Sequence, residues 1–152
     1  MLHARVNYGD PGHHKLEKDI YSSVEERLTK KVEFDWCFPV KGSGEVDVIY
    51  EYIEFEHAPT TLEVLKEIKR RRNVRFPDFA ETCEFHAQNP NERKVNPIIS
   101  ICGPVSHLED DWYIASGIVQ ADWCGLHLYV RHIDVPEANG RWWWGRFLVV
   151  RK

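Results

Sequence analysis

Glu54, Glu56 and His57 close an apolar stretch near the middle of the chain. A carboxylate beside an imidazole is suited to general acid–base work, because burial raises the one pKa and proximity tunes the other. A second group lies in "CGLHLYVRHI", where His127, Tyr129 and Arg131 alternate with Cys124, Leu126, Leu128 and Val130. Alternation in a strand sends the two sets to opposite faces. The polar set could orient a small ligand against an aromatic wall. Trp112, His127, Tyr129 and Trp143 are the candidates for such a wall. Tyr50, Tyr52 and Glu54 join them if their strand is unbroken.

Other constellations are weaker. Asp47, Glu54 and Glu56 resemble the acidic ligands on a strand of a metal-dependent nuclease, but a lysine belongs where Glu56 stands. "HLEDDW" offers His107, Asp110 and Asp111 to a cation, without the spacing and internal glycine of a calcium loop. His13 and His14 are adjacent, and adjacent helical residues do not share a face. No HExxH, GxSxG, P-loop or GxGxxG pattern is present. Neither a metal nor a cofactor is expected, and whether the chain catalyses a reaction stays open.

Charge and cysteine usage set further bounds. "KEIKRRRNVRF" concentrates basic residues, and Arg141, Arg146, Arg151 and Lys152 follow at the C-terminal end. Arginine beside aromatic rings is what single-stranded nucleic acid binding uses. The formal net charge of -4 disfavours a polyanionic partner, so a solvated helix end is the preferred reading. Cys37, Cys83, Cys102 and Cys124 form no CxxC pair. Four free buried thiols in a reducing cytoplasm are expected. No apolar run reaches the roughly 20 residues of a membrane helix, and no signal peptide is visible.

The elements that must position these residues follow from periodicity. Leu2, Ala4 and Val6 predict a strand. Asp10 and Pro11 predict a helix start, with Leu16, Ile20, Val24 and Leu28 as a stripe running to about Lys30. "VEFDWCFPV" alternates from Val32 to Val40 and predicts a strand. "EVDVIYEYIEFEH" would pair with it as a hairpin across "KGSG". The pattern of that second strand changes phase near residues 49–52, which implies a bulge or bend. "APTTLEVLKEIKRRRN" predicts a helix with Thr60 and Glu63 in capping-box spacing and Leu62, Leu65 and Ile68 on one face. "PDFAETCEFHAQNPN" reads as a strand through Phe79, Cys83, Phe85 and Ala87, or as a short helix capped by Asp78 and Glu81; the strand is preferred. "PIISICGPV", "DWYIASGIVQA", "CGLHLYVRHI" and "RWWWGRFLVV" read as strands, with a hairpin loop at "VPEANG".

The expectation is one α+β domain over residues 1–152: a largely antiparallel, strongly curved sheet of six to eight strands with two helices on one face. The element order resembles either a ferredoxin-like βαββαβ unit with a C-terminal meander or the cone-like sheet of the cystatin or NTF2-like group. In the last strand, Trp142, Trp144, Leu148 and Val150 should share one face, and Trp143, Phe147 and Val149 the other. Such a strand needs cover on both sides. The cover could be a ligand pocket, a homodimer or partner interface, or the chain's own loops. A small organic ligand in an aromatic-lined pocket is the leading functional expectation.

Overall fold

The computed structural model describes residues 1–9, 23–25, 28, 30–107, 113–133, 141–142 and 146–152, and the side chains of all of these except 23, 107, 113, 114 and 130–133. Trp112, Trp143, Trp144, Leu16, Ile20, both adjacent histidines, Asp110, Asp111 and the loop "VPEANG" lie outside them.

Nine strands join in one sheet among the described residues. They are β1 (Leu2–Asn7), β2 (Ser23–Val24), β3 (Glu45–Glu54), β4 (Val74–Arg75), β5 (Ile98–Ile101), β6 (Val105–His107), β7 (Tyr113–Asp122), β8 (Gly125–Ile133) and β9 (Arg146–Arg151). The order is β1-β3-β9-β5-β7-β8-β2, with β4 also paired to β9 and β6 to β7. Of these pairings, β5–β9 and β2–β8 run parallel. Four helices accompany the sheet among the described residues: α1 (Lys31–Cys37), α2 (Thr61–Arg71), α3 (Phe79–Gln88) and α4 (Glu92–Val95). The chain is therefore α+β with a mostly antiparallel sheet.

Strand β9 explains the layering. Residues 147–150 are all buried, so both faces must be covered. Leu148 and Val150 pack with Val48 and Tyr50 of β3, under Phe34 of α1 and Phe79, Cys83 and Phe85 of α3. Phe147 and Val149 pack with Ile53 and Ile99, under Val64 of α2 and beside Trp142. Each fully buried large apolar side chain contributes roughly 1.5–3 kcal/mol. α1 and α3, both expected as strands, share one face, while α2, one of the two helices expected, covers the opposite one. Helices of the same chain cover β9 on both sides.

Several elements differ from the sequence expectation. Residues 31–37 form a helix, not a strand, so no hairpin joins them to β3. Phe34, Cys37 and Phe38 are the buried set, at helical i, i+3, i+4 spacing. Val32 and Trp36, required inside by alternation, are 82% and 55% exposed. Residues 79–88 are also helical. Asp78 accepts from the Glu81 amide at 2.9 Å and the Glu81 carboxylate reaches back to the Asp78 amide, a complete capping box. The N-terminal helix cannot run unbroken to Lys30, because Ser23 and Val24 pair in parallel with His127 and Leu128. Leu28 is nevertheless buried.

Strand β3 carries no bulge: its register against β1 and β9 advances one residue for one. Tyr50 and Tyr52 thus share the α3 face, and Ile53 faces α2. The phase change reflects cover on both sides rather than a kink. In α2, Thr60 caps the Glu63 amide as expected, but the buried side chains are Thr61 and Val64, not Leu62 and Leu65. Trp142 joins Phe147 and Val149 rather than Leu148 and Val150, because β9 begins only at Arg146 and parity does not carry back to residue 142. Its indole Nε1 donates to Thr61 Oγ1 at 3.0 Å. Cys37, Cys83 and Cys102 are buried, whereas Cys124 is exposed.

Two local devices shape the sheet. Gly117 has φ +70 and lies where a Cβ would fall 1.8 Å from the Cys37 carbonyl oxygen. The strand changes facing there: Ala115 and Ile118 belong to the α2-side core, Val119 and Ala121 to the α3-side core. At the outer edge of β1, the Gln88 side chain accepts from the Arg5 amide at 2.9 Å and donates to the Arg5 carbonyl at 2.8 Å. Asn89 donates to the His3 carbonyl at 3.0 Å.

Candidate functional site

Strands β4 and β5 lie along the same edge of β9 but at different heights. β5 meets β9 at Phe147, and β4 meets it at Val150 and Arg151. Where they part, beyond the carboxyl end of β5, a cleft of about 580 Å3 opens. Its walls are Tyr8 after β1, Lys41 after α1, the segment Arg75 to Glu81 that leads into α3, and residues 101–105.

Glu81 is the centre of the wall. It is 1% exposed, and a buried carboxylate must be compensated by donors. Oε1 accepts from Tyr8 Oη at 2.9 Å and from Arg75 Nη2 at 2.8 Å. Oε2 accepts from Arg75 Nη1 at 3.0 Å and from the Asp78 amide at 3.4 Å. Tyr50 Oη donates to the Glu81 carbonyl at 2.7 Å. Asp78 Oδ2 accepts from the Lys41 amide at 3.1 Å, which ties the loop after α1 to the start of α3.

Burial and then the hydrogen bond to Glu81 push the Tyr8 phenol well above its usual range. Burial and then the Glu81 charge do the same to Tyr50. Asp78 is raised for the same two reasons, in that order. The Arg75 guanidinium is held protonated by its bonds to Glu81. Burial raises the Cys102 thiol, which contacts Thr82 Oγ1 at 3.2 Å. A general base needs a free lone pair aimed at substrate. Glu81 has four donors on its two oxygens, so it anchors its neighbours instead. The group is built to hold Arg75 and Tyr8 in fixed positions at the cleft wall.

Of the residues singled out from the sequence, Trp112 and Trp143 lie outside the described residues. Of the others, Tyr50 and Tyr52 meet at Phe85, while His127 and Tyr129 lie on β8, apart from them. Tyr50 supports the cleft from beneath, with its ring 4.9 Å from Phe85. Tyr52 donates to Glu92 at 2.8 Å, with the Arg146 guanidinium 3.8 Å above its ring. Glu54 is exposed, 3.7 Å from Arg146. His127 lies 3.4 Å from Asp122 Oδ1 at the β7–β8 turn, and Tyr129 is partly exposed two residues on. Four strand-to-strand steps separate β3 from β8. At about 4.8 Å per step that is roughly 19 Å, too far for one small pocket.

Among the described residues, several members of the other constellations form ion pairs. His57 Nε2 contacts Glu63 at 2.7 Å on the surface. Arg70 and Arg71 both bond Glu67 and hold its carboxyl down to about 2. Arg141 pairs with Glu63, and Arg151 with Glu51. Among the described residues, no three His, Cys, Asp or Glu side chains form a metal-binding group, and no helix is long and apolar enough to cross a membrane.

The one part of the cleft legible in the sequence was the Asp78–Glu81 capping spacing. Arg75 lay inside the basic run, Lys41 in a loop of turn formers, and Tyr8 at a strand end. Fold and site together define an α+β chain with a polar-walled cleft at a split in its sheet. Comparison with protein-family models, curated proteins and solved structures finds no match.

Proposed function

We propose that this protein binds a small organic molecule in the cleft between Tyr8, Arg75 and residues 101–105. The observation that carries the reading is the wall itself: buried Glu81 fixes Arg75 and Tyr8 beside a cavity of about 580 Å3. Ligand sites fall in the range of roughly 300–1,000 Å3 and combine apolar lining with a few placed polar groups. Here Phe76, Pro104 and Val105 supply the apolar part, and Lys41, Arg75 and Tyr8 the polar part. The reading keeps the expected ligand class and moves its address away from β8 and β3.

Thermal-shift screening against a metabolite collection tests it, with Pro104→Trp as the blocked control. Pro104 is exposed at the rim, so an indole there fills the mouth without entering the core. Hits that stabilise the parent chain and fail on Pro104→Trp support the proposal. Hits indifferent to that substitution, or none at millimolar concentration, would overturn it.

A further inference from the structure

Arginine presents five N–H donors in a planar fork, and two of its edges can each hold a carboxylate. Arg75 uses only one. Nη1 donates to Glu81 Oε2 at 3.0 Å and to the Phe76 carbonyl at 3.1 Å, and Nη2 donates to Glu81 Oε1 at 2.8 Å. That accounts for the end of the fork. The Nε–H and the second Nη2–H form the adjacent edge, side by side, and no described residue accepts from either. The side chain is 43% exposed and forms part of the cleft wall.

We infer that this outer edge of Arg75 receives the carboxylate of a small organic acid, with the Lys41 ammonium as a second contact. The inference rests on the reading of the cleft as a ligand site and adds the chemical class. Lys41 lines the same cleft and makes no ion pair with any described residue. Glu81 serves as a positioning residue. It fixes the guanidinium plane before a ligand arrives, so little side-chain freedom is lost on binding. Val105, Pro104 and Phe76 line the same cleft and are placed to receive the apolar body of the acid.

Lys41 and Arg75 are opposed by Asp78 and Glu81, so the wall carries no surplus positive charge. An anion is therefore held by the geometry of the two-bond fork rather than by net charge. A dianion brings twice the uncompensated charge of a monoanion and is the less favoured of the two.

Calorimetric titration of the whole chain with butyrate, hexanoate, benzoate and phenylacetate, each against its primary amide, tests the inference. Inorganic phosphate is the dianion comparator. At least one acid should bind about ten-fold or more tightly than its amide, the value of one charge-assisted bond. Arg75→Lys keeps a cation on Glu81 but removes the fork, and Lys41→Met removes an exposed charge. Each should weaken the acid by about ten-fold with an unchanged far-UV spectrum. Acids no tighter than amides, acids unaffected by both substitutions, or phosphate tighter than every carboxylate would each overturn the inference. If ligands of either kind are still lost on Pro104→Trp, the cleft reading stands without it. If they survive Pro104→Trp, the cleft reading falls as well.

Discussion

Arg75 and Glu81 form a two-bond ion pair at 2.8 and 3.0 Å in which the partners differ sharply in burial, 43% exposed against 2%. The asymmetry decides what each loss costs. Removing Arg75 strands a buried carboxylate; removing the charge of Glu81 leaves a guanidinium that can turn to water. Arg75→Ala should therefore cost about 3 kcal/mol, and Glu81→Gln about 1–2 kcal/mol. Urea unfolding of the two variants checks the order, and an equal or reversed cost would contradict it.

Burial dominates the titration of His86. It is 3% exposed on α3 with neither ring nitrogen hydrogen-bonded. Desolvation, then Arg93, lowers its pKa to about 3, against about 6.5 in an unfolded chain. The unfolded state therefore takes up a proton first as pH falls. Stability is unaffected above about 6.5, declines as pH drops through that value, and the loss is complete below about 3. Its slope approaches 1.4 kcal/mol per pH unit. His86→Leu should flatten that decline. The raised carboxyl of Asp78 acts with the opposite sign, but it is common to both proteins and cancels in the difference. Chemical denaturation at a series of pH values is the measurement.

Two glycines of equal φ separate strain from space. Gly44 and Gly117 both have φ +70, but nothing lies within 4 Å of a Cβ on Gly44, whereas the Cys37 carbonyl blocks one on Gly117. Gly44→Ala should cost about 1 kcal/mol, the conformational part alone. Gly117→Ala should cost at least about 3 kcal/mol, since backbone must move, or fail to fold. Parallel thermal melts read the difference.

Arg72 ends α2 in the left-handed region at φ 62, where glycine is the usual residue. Arg72→Gly should relieve that strain and stabilise by about 0.5–1 kcal/mol, raising Tm by about 1–4 °C. A lower Tm would count against a strained cap.

The two short helices show where sequence patterns run out. In residues 32–40, alternation and the 34/37/38 spacing coexist, and a seven-residue element is too short for either period to prevail. In residues 79–88, Phe79 and Cys83 fit both periods, and the helix is buried on most of its circumference, so only the Asp78–Glu81 cap distinguished them. The long or well-bounded elements were plain: β1, β7, β8 and β9, and α2 with Thr60 at its start. Both-face burial of β9 was also legible, though not which helices supply it. The cleft was hidden for a different reason. Tyr8 and Glu81 are 73 residues apart, and it takes the pairing of β1 with β3 and the packing of α3 against β1 to bring them together.

Strand β1 ends the sheet, and an edge strand offers another chain its free amides and carbonyls. The Gln88 side chain occupies that offer at Arg5 as a peptide unit would, one bond given and one taken, and Asn89 closes the position beside it. The two amide side chains at the end of α3 thus take up positions where another strand could pair. Replacing both, as in Gln88→Ala with Asn89→Ala, leaves the buried Phe85 in place and should surface in a test tube as turbidity that grows with protein concentration.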